Sequence, residues 1–210
     1  MSARPRLLDL FCGAGGAAMG YWRAGFDILG VDIRPMPDYP FQFVQADALE
    51  YVRAHGHQYD FIHASPPCQH YSKMTGCRPG LNDSHPDLVG VTRAELIMTG
   101  RPWVIENVVE APVRPDLLLC GFMFGRALYR HRIFESPLPL RWRFHPEHSV
   151  PSSRAGHYKP GHIISVAGNC YPIALAREVM GIEWMRRDEL AEAIPPDFTT
   201  YIGRQILDRL

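Results

Sequence analysis

Short apolar runs alternate with Gly- and Pro-marked breaks and amphipathic stretches through the first half of the chain. Residues 6–11 predict a buried strand, followed by a Gly-rich turn and a helix over 14–24. A second strand over 26–31 ends in Asp32. Residues 41–45 predict a third strand, and Asp47 is placed to cap a helix over 48–54. A fourth strand over 59–64 is broken by Pro66-Pro67, and the Gly, Pro, Asn and Ser content of 70–86 reads as a long loop. A helix over 92–99 and a fifth strand over 103–108 follow. Strands spaced by helices predict an α/β fold, a mostly parallel twisted sheet covered on both faces. From 137 to 161 the pattern fails. Beyond it, 163–167 resembles a strand, 174–180 a helix and 196–210 a terminal helix that opens on a proline, where a helix start tolerates one.

Composition changes this picture little. The 210 residues, 46% hydrophobic and 21% charged, fit one globular domain over 1–210. No apolar stretch approaches the roughly 20 residues that cross a bilayer, and none near the N-terminus suits a signal peptide, so a cytoplasmic protein without a membrane partner is expected. Five cysteines, odd in number and widely spaced, argue against a disulfide framework. The net charge of zero hides an uneven distribution. Residues 126–162 carry seven cations (Arg126, Arg130, Arg132, Arg141, Arg143, Arg154, Lys159) against two acids, Glu135 and Glu147, together with five histidines. This segment is either a solvated basic loop or a surface that faces phosphates; in the second case Arg141 and Arg143 are DNA-contact candidates.

Three motifs carry candidate chemistry. In Asp9-Leu-Phe-Cys-Gly-Ala-Gly-Gly16, glycines between a strand and a helix let backbone amides approach a polar ligand. A structural turn would use glycine too. Asp32, about 20 residues on, sits where a carboxylate accepts hydrogen bonds from a ribose, which favours an adenosine-containing cofactor. Ser65-Pro66-Pro67-Cys68-Gln69 presents a thiol at the carboxyl end of a strand, where open α/β sheets bind ligands; a small buried hydrophobe is the alternative. Trp103-Val-Ile-Glu-Asn-Val108 puts Glu106 inside an apolar strand, where an acid must be paired or protonated.

These blocks, in this order, resemble the signature motifs of the cytosine-5 DNA methyltransferase family. Tyr129-Arg130-His131-Arg132-Ile133-Phe134 resembles the family's Arg-x-Arg block, with Leu128 in place of the usual Gln. The stretches Ala193-Ile194-Pro195-Pro196 and Tyr201-Ile202-Gly203 resemble its final block. The resemblance implies a Rossmann-like class I methyltransferase fold, S-adenosylmethionine as cofactor and double-stranded DNA as partner. It implies Phe11 against the adenine, Gly13 and Gly15 beside the methionine part, Asp32 on the ribose and Asp47 on the exocyclic amine, with Ile33, Pro66 and Ile194 completing the cofactor set. Cys68 is implied as the nucleophile, Glu106 as the group on ring nitrogen 3 and Arg132 as the group on the ring carbonyl. Gln69, Ser72 and Arg130 are assigned to the DNA backbone around a flipped-out base.

Two departures stand out. Glu192 occupies a place where the family usually has Asn, and Asp32 one where it more commonly has Glu. Only residues 137–161 separate the Arg-x-Arg block from the last blocks, too short an interval for an independent target-recognition core. A short basic loop then stands in for that domain, and a second copy of the chain would supply the missing side of the cleft. The same motifs also fit a free nucleotide, RNA, or a sulfonium donor of a larger group, and a catalytically idle binder is the alternative of another class. Cys68, His70, Cys77 and His85 match no compact zinc spacing, so no metal is expected. Cys12, Cys120 and Cys170 are expected to be buried and inert.

Overall fold

The computed structural model describes residues 3–67 and 87–210. Its elements run β1 (Arg6–Leu10), α1 (Gly16–Ala24), β2 (Asp27–Asp32), β3 (Gln42–Gln45), α2 (Ala48–His55), β4 (Phe61–Ala64), α3 (Val89–Met98), β5 (Trp103–Asn107), β6 (Leu117–Leu119), β7 (Arg132–Glu135), α4 (Ile173–Met180), α5 (Arg187–Glu192) and α6 (Pro196–Leu207). The seven strands form one sheet in the order β3-β2-β1-β4-β5-β7-β6. Strands β1 to β5 are parallel, and β7 runs antiparallel to both β5 and β6. This is a Rossmann-like α/β fold, a mostly parallel sheet with one strand reversed, as the sequence predicts. The strand order reverses at β1 and β4, so the crevice outside their carboxyl ends is the natural ligand position.

Both sheet faces are covered, which explains why the central strands read as continuous apolar runs. Leu7, Phe61 and Val104 pack with Ala17 and Tyr21 of α1 and Phe198 and Ile202 of α6. Leu8, Leu10, Ile62 and Ile105 point the other way, toward Val52 of α2 and Leu96 of α3. Helices α1 and α6 meet almost backbone to backbone. A Cβ on Gly20 would lie 2.0 Å from Thr199 Oγ1, and one on Gly203 would lie 2.8 Å from the Ala24 Cβ. Thr199 and Thr200 use this proximity to donate to the carbonyls of Ala17 and Gly20 at 2.8 and 3.0 Å. Asp47 caps α2 as its position predicts, its Oδ1 accepting from the amides of Leu49 and Glu50 at 2.8 and 2.9 Å.

The predicted strand over 163–167 does not form. Ile163 makes only an isolated bridge to Ser152, while Ile164 and Val166 join a third apolar cluster with Ala176, Val179 and Met180 of α4. With no neighbouring strand to pair with, the apolar run packs as irregular chain. Residues 137–161 carry neither helix nor strand, only isolated bridges. No helix among the described residues is long and apolar enough to cross a membrane.

Candidate active site

The Gly-rich turn after β1 holds three residues, Phe11, Gly13 and Gly15, in backbone conformations that L-residues rarely adopt. Phe11 has φ 55° and Gly13 has φ 48°. A non-glycine residue in this region costs about 1–3 kcal/mol and clusters at functional sites. A Cβ on Gly13 would meet nothing within 4 Å, so the turn is open on that side, whereas one on Gly15 would come within 2.9 Å of Pro40. Asp32, at the end of β2, braces the turn. Its Oδ2 accepts from the Gly13 amide and its Oδ1 from the Arg34 amide, each at 3.0 Å. Ile33, 67% exposed, offers an apolar face next to that carboxylate. An open glycine turn, a fixed carboxylate and an exposed Ile at one sheet edge suit the ribose, adenine and amino-acid parts of an adenosyl cofactor.

Behind the turn lies Asp9, buried at 1% exposure. Burial pushes its carboxyl well above the usual range; a hydrogen bond from the Tyr39 hydroxyl opposes this, and the nearby Asp32 and Glu106 add to it. Ile194 is buried, with its carbonyl against Gly16. It reaches the cleft edge through its backbone. Glu192, the departure from the family pattern, accepts from Arg34 Nη2 at 3.1 Å and so links the C-terminal loop to the residues after Asp32.

Cys68, Gln69 and Ser72 lie outside the described residues, but the chain leading into Cys68 is well fixed. The Ser65 amide donates to Leu10 O at 3.2 Å, extending the β1–β4 ladder by one step. Ser65 Oγ meets His63 Nε2 at 2.9 Å, and His63 Nδ1 meets the Tyr21 hydroxyl at 3.0 Å. His63 is fully buried, and burial pulls its pKa down to about 3, so it is neutral in this network. Asn107 Nδ2 donates to Pro66 O at 2.9 Å, tying the end of β5 to the Pro-Pro loop. Sequence reasoning treated Asn107 only as part of a motif and missed His63; an Asn and a His within apolar strands are the signals that could have found them.

Glu106 is not a solitary acid in an apolar strand. Arg132, at the start of β7, places Nε 2.9 Å from Glu106 Oε1, and both side chains are largely buried. The β5–β7 ladder, with Asn107 opposite Ile133, brings the two together. Continuing the β4–β5 register by one residue sets Ser65 opposite Glu106. The acid–guanidinium pair and the approach to Cys68 therefore share one edge.

The basic segment is only partly available to a partner. Arg130, expected to face the DNA backbone, is 7% exposed and donates to the carbonyls of Val166 and Ala191. It fastens the chain after the basic segment and the end of α5 to the sheet. Arg126 is paired with Asp197 at 2.6 Å. Arg143 donates to Met123 O and lies over the rings of Phe124 and Tyr201, whereas Arg141 is exposed.

No family model matches the chain. Among curated proteins, the type II methyltransferase M.XorII of Xanthomonas oryzae is 34% identical over 122 residues, half of this chain and 28% of that protein. The chain thus spans less than a third of that relative's length. Among solved structures, a DNMT2 mutant of Spodoptera frugiperda superposes with TM-score 0.61 at 14% identity, covering 97% of this chain and 98% of that one. Dnmt2 of S. pombe gives TM-score 0.57 at 13% identity, with 98% of both chains covered. These likenesses establish the fold, and the signature blocks fall at its expected edge. The comparisons show the fold and a partial likeness to a type II methyltransferase. The Glu-Asn-Val and Arg-x-Arg blocks meet at the β5 and β7 ends, beside Ser65 and Pro66 after β4.

Proposed function

We propose that the protein methylates carbon 5 of cytosine in double-stranded DNA, using S-adenosylmethionine as donor and Cys68 as a transient nucleophile. One arrangement above all supports this reading. Ser65 and Pro66, the residues that precede Cys68 in sequence, are anchored by Leu10, His63 and Asn107 on the same sheet edge as the Glu106–Arg132 pair and the Asp32-braced turn. Bound S-adenosylmethionine supplies an electrophilic methyl group on a cationic sulfur. Asp32 is assigned to the ribose hydroxyls, Phe11 and Ile33 to the adenine faces, Asp47 to its amine, and Gly13 and Gly15 to the amino-acid end; Pro66 and Ile194 complete the set.

Carbon 5 of cytosine is too weakly nucleophilic to accept a methyl group unaided. Addition of the Cys68 thiolate at carbon 6 moves electron density to carbon 5. Arg132 holds the ring carbonyl, and Glu106 hydrogen-bonds ring nitrogen 3, where charge develops. The donor, held by Asp32, Phe11 and the glycine turn, would give its methyl carbon to carbon 5 and keep the carbon–sulfur electron pair on its sulfur. A base then takes the carbon 5 proton, and the returning electrons expel Cys68. The ring must leave the duplex stack first, at a cost of a few kcal/mol. Gln69, Ser72, Arg141 and Arg143 are assigned to the phosphates; Arg130 is not, because its guanidinium is spent on Val166 and Ala191.

The test combines labelled S-adenosylmethionine with mixed-sequence duplex DNA or RNA, and a duplex carrying 5-fluorocytosine. Label in DNA, and a covalent adduct with the wild type and Cys170→Ala but not Cys68→Ala, are expected. Label in RNA alone would overturn the substrate, and turnover without any adduct would overturn the nucleophile.

A further inference from the structure

Four side chains that the methyl-transfer reading leaves unused converge beside the candidate active site. They are Cys120, His131, His145 and His148. One potential ligand atom from each lies within 4.8 Å of all the others. Cys120 directly follows β6, and His131 directly precedes β7. The antiparallel register, with Leu119 opposite Arg132, sets them facing each other one step further on. His145 and His148 arrive from the irregular segment, three residues apart. Cys120 Sγ is 3.4 Å from His148 Nε2, and His131 Nε2 is 3.0 Å from His145 Nε2.

We propose that Cys120, His131, His145 and His148 form a closed tetrahedral site for one zinc ion. Zinc binds imidazole nitrogen at about 2.0–2.1 Å and thiolate sulfur at about 2.3 Å, so a tetrahedron of such ligands has edges of about 3.3–3.6 Å. The two measured contacts fall within a few tenths of an ångström of those edges. A set of three imidazoles and one thiolate selects zinc over magnesium or calcium, which need oxygen ligands. Four protein ligands leave no open position, which marks a structural rather than a catalytic site. The shell around the ligands is built as well. The Tyr129 ring stacks on His148 at 3.7 Å and 11°, and its hydroxyl accepts from the Val150 amide. Zinc binds cysteine as the thiolate, so binding would release the Cys120 proton.

The site answers a structural need. Residues 137–161 have no helix or strand to hold them. A segment of this size cannot build its own core, and a metal is a common staple in such cases. Here it would clip the segment to the β6–β7 edge, with His131 adjoining Arg132 of the Glu106 pair. The ligands come from a strand end, a strand start and an irregular segment, so no linear zinc motif exists to be read. This explains why the cysteine and histidine spacing predicts no metal. The inference does not depend on the proposed reaction.

The experiment uses the full chain without a histidine tag. Metal analysis is expected to find about one zinc per chain. His145→Ala and Cys120→Ala should each weaken zinc binding at least about 100-fold, more than outer-shell changes do, while Cys170→Ala and His57→Ala keep the metal. Cobalt loaded into the metal-free wild type should give tetrahedral ligand-field bands and a thiolate-to-cobalt charge-transfer band, and this keeps the test decisive if a variant fails to fold. A folded wild type that binds no zinc from an equimolar solution, or variants that retain it, would mean a hydrogen-bonded cluster only and overturn the site.

Discussion

Replacing Asn107 by Ala isolates the tie between β5 and the Pro-Pro loop. The side chain is 2% exposed, donates from Nδ2 to Pro66 O at 2.9 Å and accepts from the Val108 amide at Oδ1, also at 2.9 Å. Its removal leaves the Pro66 carbonyl without its donor in a buried setting. An unsatisfied buried polar group costs about 1–3 kcal/mol. For a chain of this size each kcal/mol lowers Tm by about 2–4 °C, so a fall of about 2–12 °C is expected. Stability is the lesser effect. The carbonyl belongs to the residue two before Cys68, and a catalytic group displaced by about 1 Å can lose about 100-fold in rate. Asn107→Ala should therefore lower kcat far more than KM for DNA at a temperature where the variant is fully folded. Asn107→Asp keeps the acceptor for Val108 but sets a second acceptor against Pro66 O, and it should be worse on both counts. Thermal denaturation followed by circular dichroism, with methyl-group incorporation at saturating donor, measures both. A variant with unchanged Tm and unchanged kcat would refute the claim that this bond positions the nucleophile's loop.

Three further outcomes follow from the same geometry. Arg132→Ala removes one partner of a largely buried ion pair and should cost about 3–5 kcal/mol in a denaturant titration, while the double variant Arg132→Ala, Glu106→Gln should recover part of that loss. His63 is neutral in the fold, with its pKa lowered to about 3 from 6.5, so its contribution is complete above about pH 6.5 and is lost as pH falls toward 3; urea midpoints between pH 4 and 7 should slope less steeply in His63→Gln than in the wild type. Of the seven cations counted between Arg126 and His162, Arg126 and Arg132 are paired and Arg130 is buried, so the log–log salt slope of DNA binding should be no steeper than about −3.6, or 0.9 for each of four contacts. A steeper slope would show cations elsewhere in contact.

Much of the sheet is legible in the sequence, because strands buried on both faces must be apolar throughout and Gly or Pro marks their ends. Strands β1 to β5 and the Asp47 cap follow from that rule. Strand β6, only Leu117–Leu119, is too short to stand out from an apolar run. The stretch over 163–167 errs the other way, since its apolar side chains are needed by α4 and no strand edge lies beside it. Within the site, Asp32 and Glu106 are conspicuous as acids at strand positions, but the guanidinium that balances Glu106 becomes its neighbour only through the β5–β7 pairing. Arg130 misleads because a cation in a basic stretch reads as exposed. Its acceptors, Val166 and Ala191, lie 36 and 61 residues away along the chain.

The reversed direction of β7 has a consequence for how such a chain can change. Because β7 runs back alongside β5, Arg132 and Asn107 arrive at one edge from opposite ends of the intervening chain. Their separation is dictated by ladder spacing, not by the path taken between them. Insertions at the exposed positions 109–110 or 125 should therefore leave the acid–guanidinium pair in register, whereas Ala111, Val113, Met123 and Leu128 are held by the core.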